Sequence, residues 1–469
     1  MKKLLLALIL SLTFTISFAQ QYALFGTKTM FDAFENPSQK SFTLDSSRRF
    51  SSNFFLPYFG VNGANRGDAE PVIRRILVDG VNDTRTLPIG EGALNHFYEN
   101  SNVYVLTLRL FQSYKYQKEM GFAWQIRSDA QIDYTNETIA IFDSFTRFPQ
   151  QTQLNNIFNT KGYQQTYHQF SFTYRENYNK RLAFGVKASL LSGVAYNDLN
   201  ISDSYLYVNP ETNSLNIRLA GNYSSNFNNE NKINRNTIIP TFRNPGLSIG
   251  FSTNYITKKG LFLMANIKDL GFIWWRHNTN STSVNADKRI EDIAFNQDYV
   301  NNQITDIFEL SETPDKFLAA TNAKADIYIS KSYGLYTPAL AVSKNLFYRG
   351  GDIAFINTFK YNNFSGSVTP LYNLNNIFMV GLQGKYQTPN FEIFMGTDNL
   401  VSTAKTARNV IKNDYTIGSG PNAASFYMGV GIKFGNVVNH PQFSDVMPGI
   451  NDNEGGSFFK NLFSIFKRK

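Results

Sequence analysis

The sequence predicts an all-β fold, a transmembrane antiparallel β-barrel of about 16 strands, with 14 as the alternative because single-chain bacterial barrels have even counts. Three observations predict it. Ala424 to Phe434 alternates without a break, placing Phe426, Met428, Val430, Ile432 and Phe434 on one face and Ser425, Tyr427, Gly429, Gly431 and Lys433 on the other. Successive strand side chains point to opposite faces, so this segment needs one apolar surround and one that accepts a lysine and two glycines. The same two-residue period recurs along the chain. The gaps between the periodic segments alternate between tight turns and long loops, as in outer-membrane barrels.

The 469-residue chain has no cysteine, 15% aromatic residues, 17% charged residues and a mean hydropathy of −0.29. A barrel hides its apolar band in alternate positions, so an unremarkable mean is expected. Without cysteine, disulfide frameworks, thiolate metal sites and thiol catalysis are excluded. The formal charge of +9 is not clustered except at Lys467-Arg468-Lys469, which argues against nucleic acid and for an anionic envelope surface.

Residues 1–19 read as a signal peptide: Met1-Lys2-Lys3, an apolar run from Leu4 to Phe18, and cleavage after Ala19. Export followed by strand-based insertion predicts the outer membrane of a Gram-negative cell. Residues 20–50 are irregular and polar, a plug-like segment punctuated by Asn36-Pro37-Ser38. The barrel is assigned to residues 51–435. Its first strand is expected at Ser52 to Val61, with Pro57 tolerated near a strand end. Short helices are expected at Pro71 to Val78 and Gly92 to Asn100, inside a long loop.

Clean alternation begins at Tyr104 to Leu110 and Phe122 to Asp129, continues at Phe170 to Tyr174 and Leu182 to Leu190, and weakens at Tyr196 to Val208. It resumes at Leu215 to Tyr223, Leu247 to Tyr255, Leu261 to Ile267, Ala323 to Ile329, Leu335 to Ser343, Ile353 to Tyr361, Phe364 to Pro370, Phe378 to Tyr386 and Phe391 to Met395. Thr388-Pro389, Asn362-Asn363, Lys331-Ser332, Lys258-Lys259 and Pro210-Glu211 read as short periplasmic turns. Stretches 135–163, 224–245, 271–321 and 399–423 read as extracellular loops.

Three stretches carry a resemblance. Asn36-Pro37-Ser38 is similar to the Asn-Pro-Ala element of long-chain fatty-acid transporter barrels and of the gliding- and secretion-associated barrels related to them. Asp269-Leu270-Gly271-Phe272-Ile273-Trp274-Trp275 and Gly396-Thr397-Asp398-Asn399-Leu400 resemble strand-end motifs of an uncharacterised outer-membrane barrel family catalogued as a domain of unknown function. The resemblance implies location and architecture, with Asn36 and Pro37 as plug residues, and no established activity.

No catalytic, metal or cofactor constellation is present in the pattern. His96, His168, His277 and His440 lack partners at ligand spacing, and His168 reads as an interfacial residue sharing its face with Phe170 and Phe172. Gly418-Ser419-Gly420-Pro421 reads as a loop and not a phosphate cradle, since no strand-to-helix junction follows it. Trp124, Trp274 and Trp275 read as interface girdle residues. Strand parity turns Arg109, Arg127, Lys187, Lys268, Lys324, Lys385 and Lys433 inward, with Asp129, Asp133, Asp326 and Glu392. Those charges either pair across the wall or bias a pore towards anionic solutes.

Residues 436–469 read as a periplasmic linker ending in a short basic amphipathic helix. Phe458, Phe459, Leu462, Phe463 and Phe466 share one face and are expected to dock on a leaflet or on a periplasmic or surface protein. Two function classes follow for a chain that is not an enzyme. One is a transporter or channel for small or hydrophobic molecules, with lipid and a solute as partners. The other is a non-transporting scaffold or adaptor for envelope proteins. A solvent path past residues 20–50 would mark transport, and a lumen filled by paired charges would mark a scaffold.

Overall fold

The computed structural model describes residues 24–42, 48–113, 118–226, 239–293, 296–309, 314–374, 377–416, 418, 420–437 and 458–459. The leader and tail residues Leu462, Phe463 and Phe466 lie outside these. Nineteen strands form one sheet, and fourteen strand positions close it into an antiparallel barrel. The first position is shared by β1 (Arg48–Ser52) and β2 (Tyr58–Arg66), both held between the last strand and the same neighbour. Around the wall follow β3 (Leu94–Ser113), β4 (Lys118–Thr135), β6 (Lys161–Asn177), β7 (Leu182–Asn209), β9 (Pro245–Ile256) and β10 (Leu261–Trp275). The circuit continues through β13 (Lys324–Lys331), β14 (Tyr336–Asn345), β15 (Gly351–Tyr361), β16 (Phe364–Asn373), β17 (Ile377–Gln387), β18 (Phe391–Thr397) and β19 (Asn422–Val437).

The count is 14, the alternative to 16, and the reason is the length of β7. This one strand runs from Leu182 to Asn209, so the weak segment at Tyr196 to Val208 is its upper half and not a new wall strand. Above the barrel it pairs with β5 (Gln153–Asn155) and β8 (Ser214–Ser225), and β8 pairs with β11 (Asn280–Glu291). Pro210-Glu211 is therefore the tip of this upper sheet, on the long-loop side, and not a short turn at the opposite end. β12 (Phe317–Ala320) extends β13's place beside β10. Two helices, at Asn136–Asp143 and Gln297–Glu309, close over the upper sheet. Ile141, Phe148, Leu206, Ile217, Val284 and Ile304 belong to the apolar core between them.

The helix expected at Pro71 to Val78 is present as Glu70–Asp79, with Pro71 in its first turn and Gly80 ending it in left-handed conformation. The helix expected at Gly92 to Asn100 is absent: this stretch is the upper part of β3, paired from Leu94↔Thr135 downward with β4. A neighbouring strand that reaches that height supplies the backbone partners, which overrides local helical spacing. The strand expected at Ser52 to Val61 is not one strand: β1 ends at Ser52 and β2 begins at Tyr58, after Pro57. Asn53 fills the gap, its Nδ2 donating to Leu56 O (2.9 Å) and Val105 O (3.1 Å) while its Oδ1 accepts from Thr107 N–H (2.8 Å).

The outer face carries a continuous apolar belt that includes Phe172, Leu190, Ile249, Leu318, Phe355, Phe378 and Phe426. On β19 the predicted division holds: Phe426 is exposed, whereas Ser425, Tyr427, Gly429 and Gly431 are buried inward. A Cβ on Gly429 would lie 2.7 Å from the Phe394 ring, so the strand approaches that ring only as glycine. Val430→Arg on the outer face is expected to cost about 2–4 kcal/mol in lipid vesicles. Urea titration of heat-modifiable gel mobility measures it, and unchanged stability would argue against the belt facing lipid.

Candidate functional site

An eight-stranded barrel is just filled by its own side chains, so a fourteen-strand wall encloses space that something else must occupy. Residues 24–42 occupy it. The segment makes one short turn of helix, α1 (Asp32–Glu35), and Leu24, Met30, Phe31, Phe34 and Phe42 are buried with wall residues Tyr58, Tyr104 and Phe394. Phe31 packs 5.1 Å from Tyr58 and 5.4 Å from Tyr104, centroid to centroid.

Asn36 and Pro37, the predicted plug residues, are at its centre. Asn36 Nδ2 donates to Leu24 O (2.9 Å) and Asp32 Oδ1 (2.8 Å), and its Oδ1 accepts from Asn266 on β10 (2.9 Å). Pro37 presses on Gly185 of β7, where a Cβ would come within 2.1 Å of the proline carbonyl carbon. The next carbonyl, of Ser38, accepts from Arg175 Nε (2.7 Å) and Asn254 Nδ2 (2.6 Å). An asparagine can satisfy donors and acceptors in both directions at once, which suits it to tie a loop to itself and to the wall.

The structure turns the lumen-charge candidates to the inside, where Arg109, Arg127, Lys187, Lys268 and Lys324 are ion-paired and Lys385, Lys433 and Glu392 meet other partners. Arg127 Nη2 is 2.6 Å from Glu35 of the plug, and its Nη1 contacts Asp269 of the wall. Glu35 also accepts from Tyr104 OH (2.6 Å) and Asn102 Nδ2 (2.9 Å). Lys268 lies 3.7 Å from Glu35 and 3.1 Å from Asp326. Lys187 is 3.0 Å from Asp269, and Lys324 is 3.6 Å from Asp129. Arg109 is fully buried, 3.2 Å from Glu119, whose carboxylate also accepts the Ser41 N–H and hydroxyl. Glu392 accepts the Met30 N–H (2.7 Å), and Lys385 donates to Thr27 O. Lys433 stands over the Phe42 and Phe111 rings at 4.6 and 4.1 Å. Burial pushes the Glu35 carboxyl up, but Arg127, Lys187 and Lys268 outweigh it and hold the group below the usual carboxylate range. Asp32 lacks so strong a cationic surround, and burial raises it to about 6 against hydrogen bonds from Asn36 and the Lys28 N–H.

Three of these carboxylates escaped the pattern. Glu35 lies in the plug and Glu119 opens its strand before alternation is clear. Asp269 is a residue at φ 55° where the pairing of β10 with β9 slips between Ile267 and Leu270, so Lys268 and Asp269 both face inward. A bulge breaks parity, and parity was the signal. The same shift explains Trp275, which is not a girdle residue: it is fully buried, 5.3 Å from Tyr196, whereas Trp274 is 43% exposed. Trp124 stacks on Phe170 (5.8 Å) and donates to His168 Nδ1 (3.2 Å), so that histidine is part of an outer-face aromatic cluster. Phe459 is buried on the barrel's own lower rim, 5.4 Å from Phe184 and 6.0 Å from Tyr174, and the Phe458 N–H donates to Glu176 (3.0 Å). Phe458 and Phe459 thus pack on the barrel itself.

At the long-loop end, above the plug, a cavity of about 60 Å³ is lined by Glu99, Asp129, Lys324, Arg349, Asp352 and Leu371 among others. Below and beside it the inner wall changes character. Ala339, Ala341, Ala354, Ile356, Leu371 and Met379 form an apolar arc packed with Phe25 of the plug and Tyr328. The ion pairs concentrate on the side of β3 to β13, and the side of β14 to β17 carries this apolar arc, with Asp352 and Lys385 at its margins. Among the described residues no group of His, Asp or Glu is arranged to hold a metal ion.

These features define a closed antiparallel barrel whose lumen is stoppered by its own N-terminal segment. Residues 45–398 match the Family of unknown function (DUF5723), and the chain belongs to that family. No curated protein matches the chain. Among solved structures it is similar to a "TodX deltaS2S3 mutant monoaromatic hydrocarbon channel", with 9% identity over 86% of this chain and 94% of that one and a TM-score of 0.42. It is also similar to the P. putida toluene transporter TodX, with 9% identity over 87% and 94% and a TM-score of 0.37.

Removing one member of a buried ion pair typically costs about 3–5 kcal/mol. Glu35→Gln is therefore expected to loosen the plug while the wall stays closed by its ladders. In this cysteine-free chain, Met30→Cys reports the seat. Its maleimide labelling should be slow alone and on the order of 100-fold faster with Glu35→Gln, at unchanged heat-modifiable mobility. Equal rates would mean that Glu35 does not hold the plug.

Proposed function

We propose that this protein is an exported outer-membrane barrel that passes small solutes, amphipathic ones in particular, through a lumen gated by residues 24–42. One observation carries the reading: every hydrogen bond between the plug and the wall among the described residues uses a wall side chain. Glu119, Arg175, Asn254, Asn266, Lys385 and Glu392 do this, and no backbone ladder joins the two. A segment held in this way can leave without breaking a sheet. A solute captured in the polar mouth would find the charged arc for a polar group and the apolar arc, once Phe25 moves, for the rest.

The filled lumen favours a second reading. Ion pairs and rings occupy the section past the plug, the arrangement expected of a scaffold that holds other envelope proteins and conducts nothing. Planar-bilayer conductance and binding of the apolar fluorophore 1-N-phenylnaphthylamine by the purified full chain and by a deletion of residues 24–42 separate the two. Gated transport expects a nearly closed full chain that binds the fluorophore in competition with solute, and steady conductance once the plug is removed. A full chain that neither binds nor conducts under any voltage, beside a freely conducting deletion, would sink the transport reading.

A further inference from the structure

The wall has a notch. β18 stops at Thr397, paired with Leu382 of β17, while β17 runs on upward to Ile377 and β19 runs upward to Asn422. Ile377–Gly381 and Asn422–Phe426 therefore have no strand between them, although each remains paired on its other side, with β16 and β2. The 13-residue helix Leu400–Lys412 packs against both β17 and β19 at this place. Its contacts with the edges are side-chain contacts. Thr403 Oγ1 accepts the Ser425 N–H (2.9 Å), Lys405 Nζ donates to the Gly420 and Pro421 carbonyls (2.8 Å each), and Asn399 caps the first turn. Inside a hydrocarbon layer backbone groups must be satisfied internally, and a helix does this for itself where a strand is missing.

The helix is oriented against the usual rule for a surface helix. Its polar residues Ser402, Thr406 and Asn409 lie on the side turned to the protein, and Asn409 is 1% exposed. Leu400, Val401, Ala404 and Ile411 lie on the open side, with Val401 71% and Ile411 82% exposed. A helix docked on a water-exposed protein surface buries its apolar stripe; this one shows it. The stripe is continuous with the outer belt, since Phe378 of β17 and Phe426 of β19 flank the notch and face outward. Arg408 and Lys412 stand exposed on the same side, and the helix has no acidic residue.

We propose that this helix is a lipid-binding face of the barrel, with Leu400, Val401, Ala404 and Ile411 against acyl chains and Arg408 and Lys412 on lipid phosphates. The proposal rests on the membrane reading of the belt. A membrane lipid is the occupant because the stripe continues a lipid-type surface and its flanking charges match anionic head groups.

The chain's lack of cysteine makes the test direct. Single variants Val401→Cys, Ile411→Cys, Phe355→Cys on the belt and Thr212→Cys on the upper turn are labelled with an environment-sensitive fluorophore and reconstituted as full chains in nanodiscs. Labels at 401, 411 and 355 should be quenched by doxyl-lipid and protected from aqueous iodide, and the label at 212 should show the reverse. Quenching at 411 should be stronger with doxyl-phosphatidylglycerol than with doxyl-phosphatidylcholine, by up to about fivefold per cation. Adding Arg408→Gln and Lys412→Gln should remove the difference. If 355 is lipid-quenched while 401 and 411 answer to iodide, the helix proposal falls and the membrane reading stands. If 355 also answers to iodide, the membrane reading falls with it. Protection from both quenchers at 401 and 411 would assign the face to a protein partner and overturn the proposal, and an unchanged lipid preference in the double variant would overturn the head-group role.

Discussion

Arg127 holds one carboxylate of the plug and one of the wall, Glu35 and Asp269, and much of the interior depends on that double contact. A wall of this size cannot close its lumen with its own side chains, so something must be brought in and anchored. Charges taken out of water are costly unless paired and hydrogen-bonded. The wall's buried cations Arg127 and Lys268 and the plug's buried Glu35 are each unfavourable alone and compatible together. This fixes where the plug sits, because only one position brings Glu35 to Arg127, Lys268 and Tyr104 at once. Asn36 then has one place to meet Asn266, and Pro37 one glycine to rest on.

Side-chain contacts confer a defined seat, and their number makes the seat deep. Among the described residues none of them is a ladder, which is what the proposed gating requires. The apolar arc under Phe25 completes the division of labour inside the lumen. One half attracts the plug through charge, and the other half packs rings and methyl groups that have no preferred partner orientation.

Among the described residues the wall is missing part of a strand at Asn53–Pro57 and above Thr397, and each gap is repaired differently. At Asn53–Pro57 a single amide side chain replaces the missing ladder bonds, so the strand pair stays closed. Above Thr397 the gap is too tall for one side chain, and a helix fills it with its polar side inward. Both repairs follow from the general requirement that backbone polar groups of the wall find partners. In the upper sheet the strands run unbroken, and there β8 and β11 build an ordinary apolar core under two helices.

The two-residue period of the sequence was sufficient to determine the class of fold and the outward set on β19, because alternation is local geometry that every strand shares. The motif Asn36-Pro37 was legible as punctuation. Its contacts were not, since its partners Asn266 and Gly185 are distant in the chain. The strand count was left between 16 and 14 because β7 continues beyond the barrel: periodicity reports a strand but not which sheet it joins. Trp275 was placed on the wrong face, and Asp269 was missed as a lumen charge, because of a bulge that only pairing with a neighbour reveals. The notch beside Thr397 and the reversed helix that fills it depend on where three strands end relative to one another. That is a property of register, and register is decided by tertiary closure of the wall.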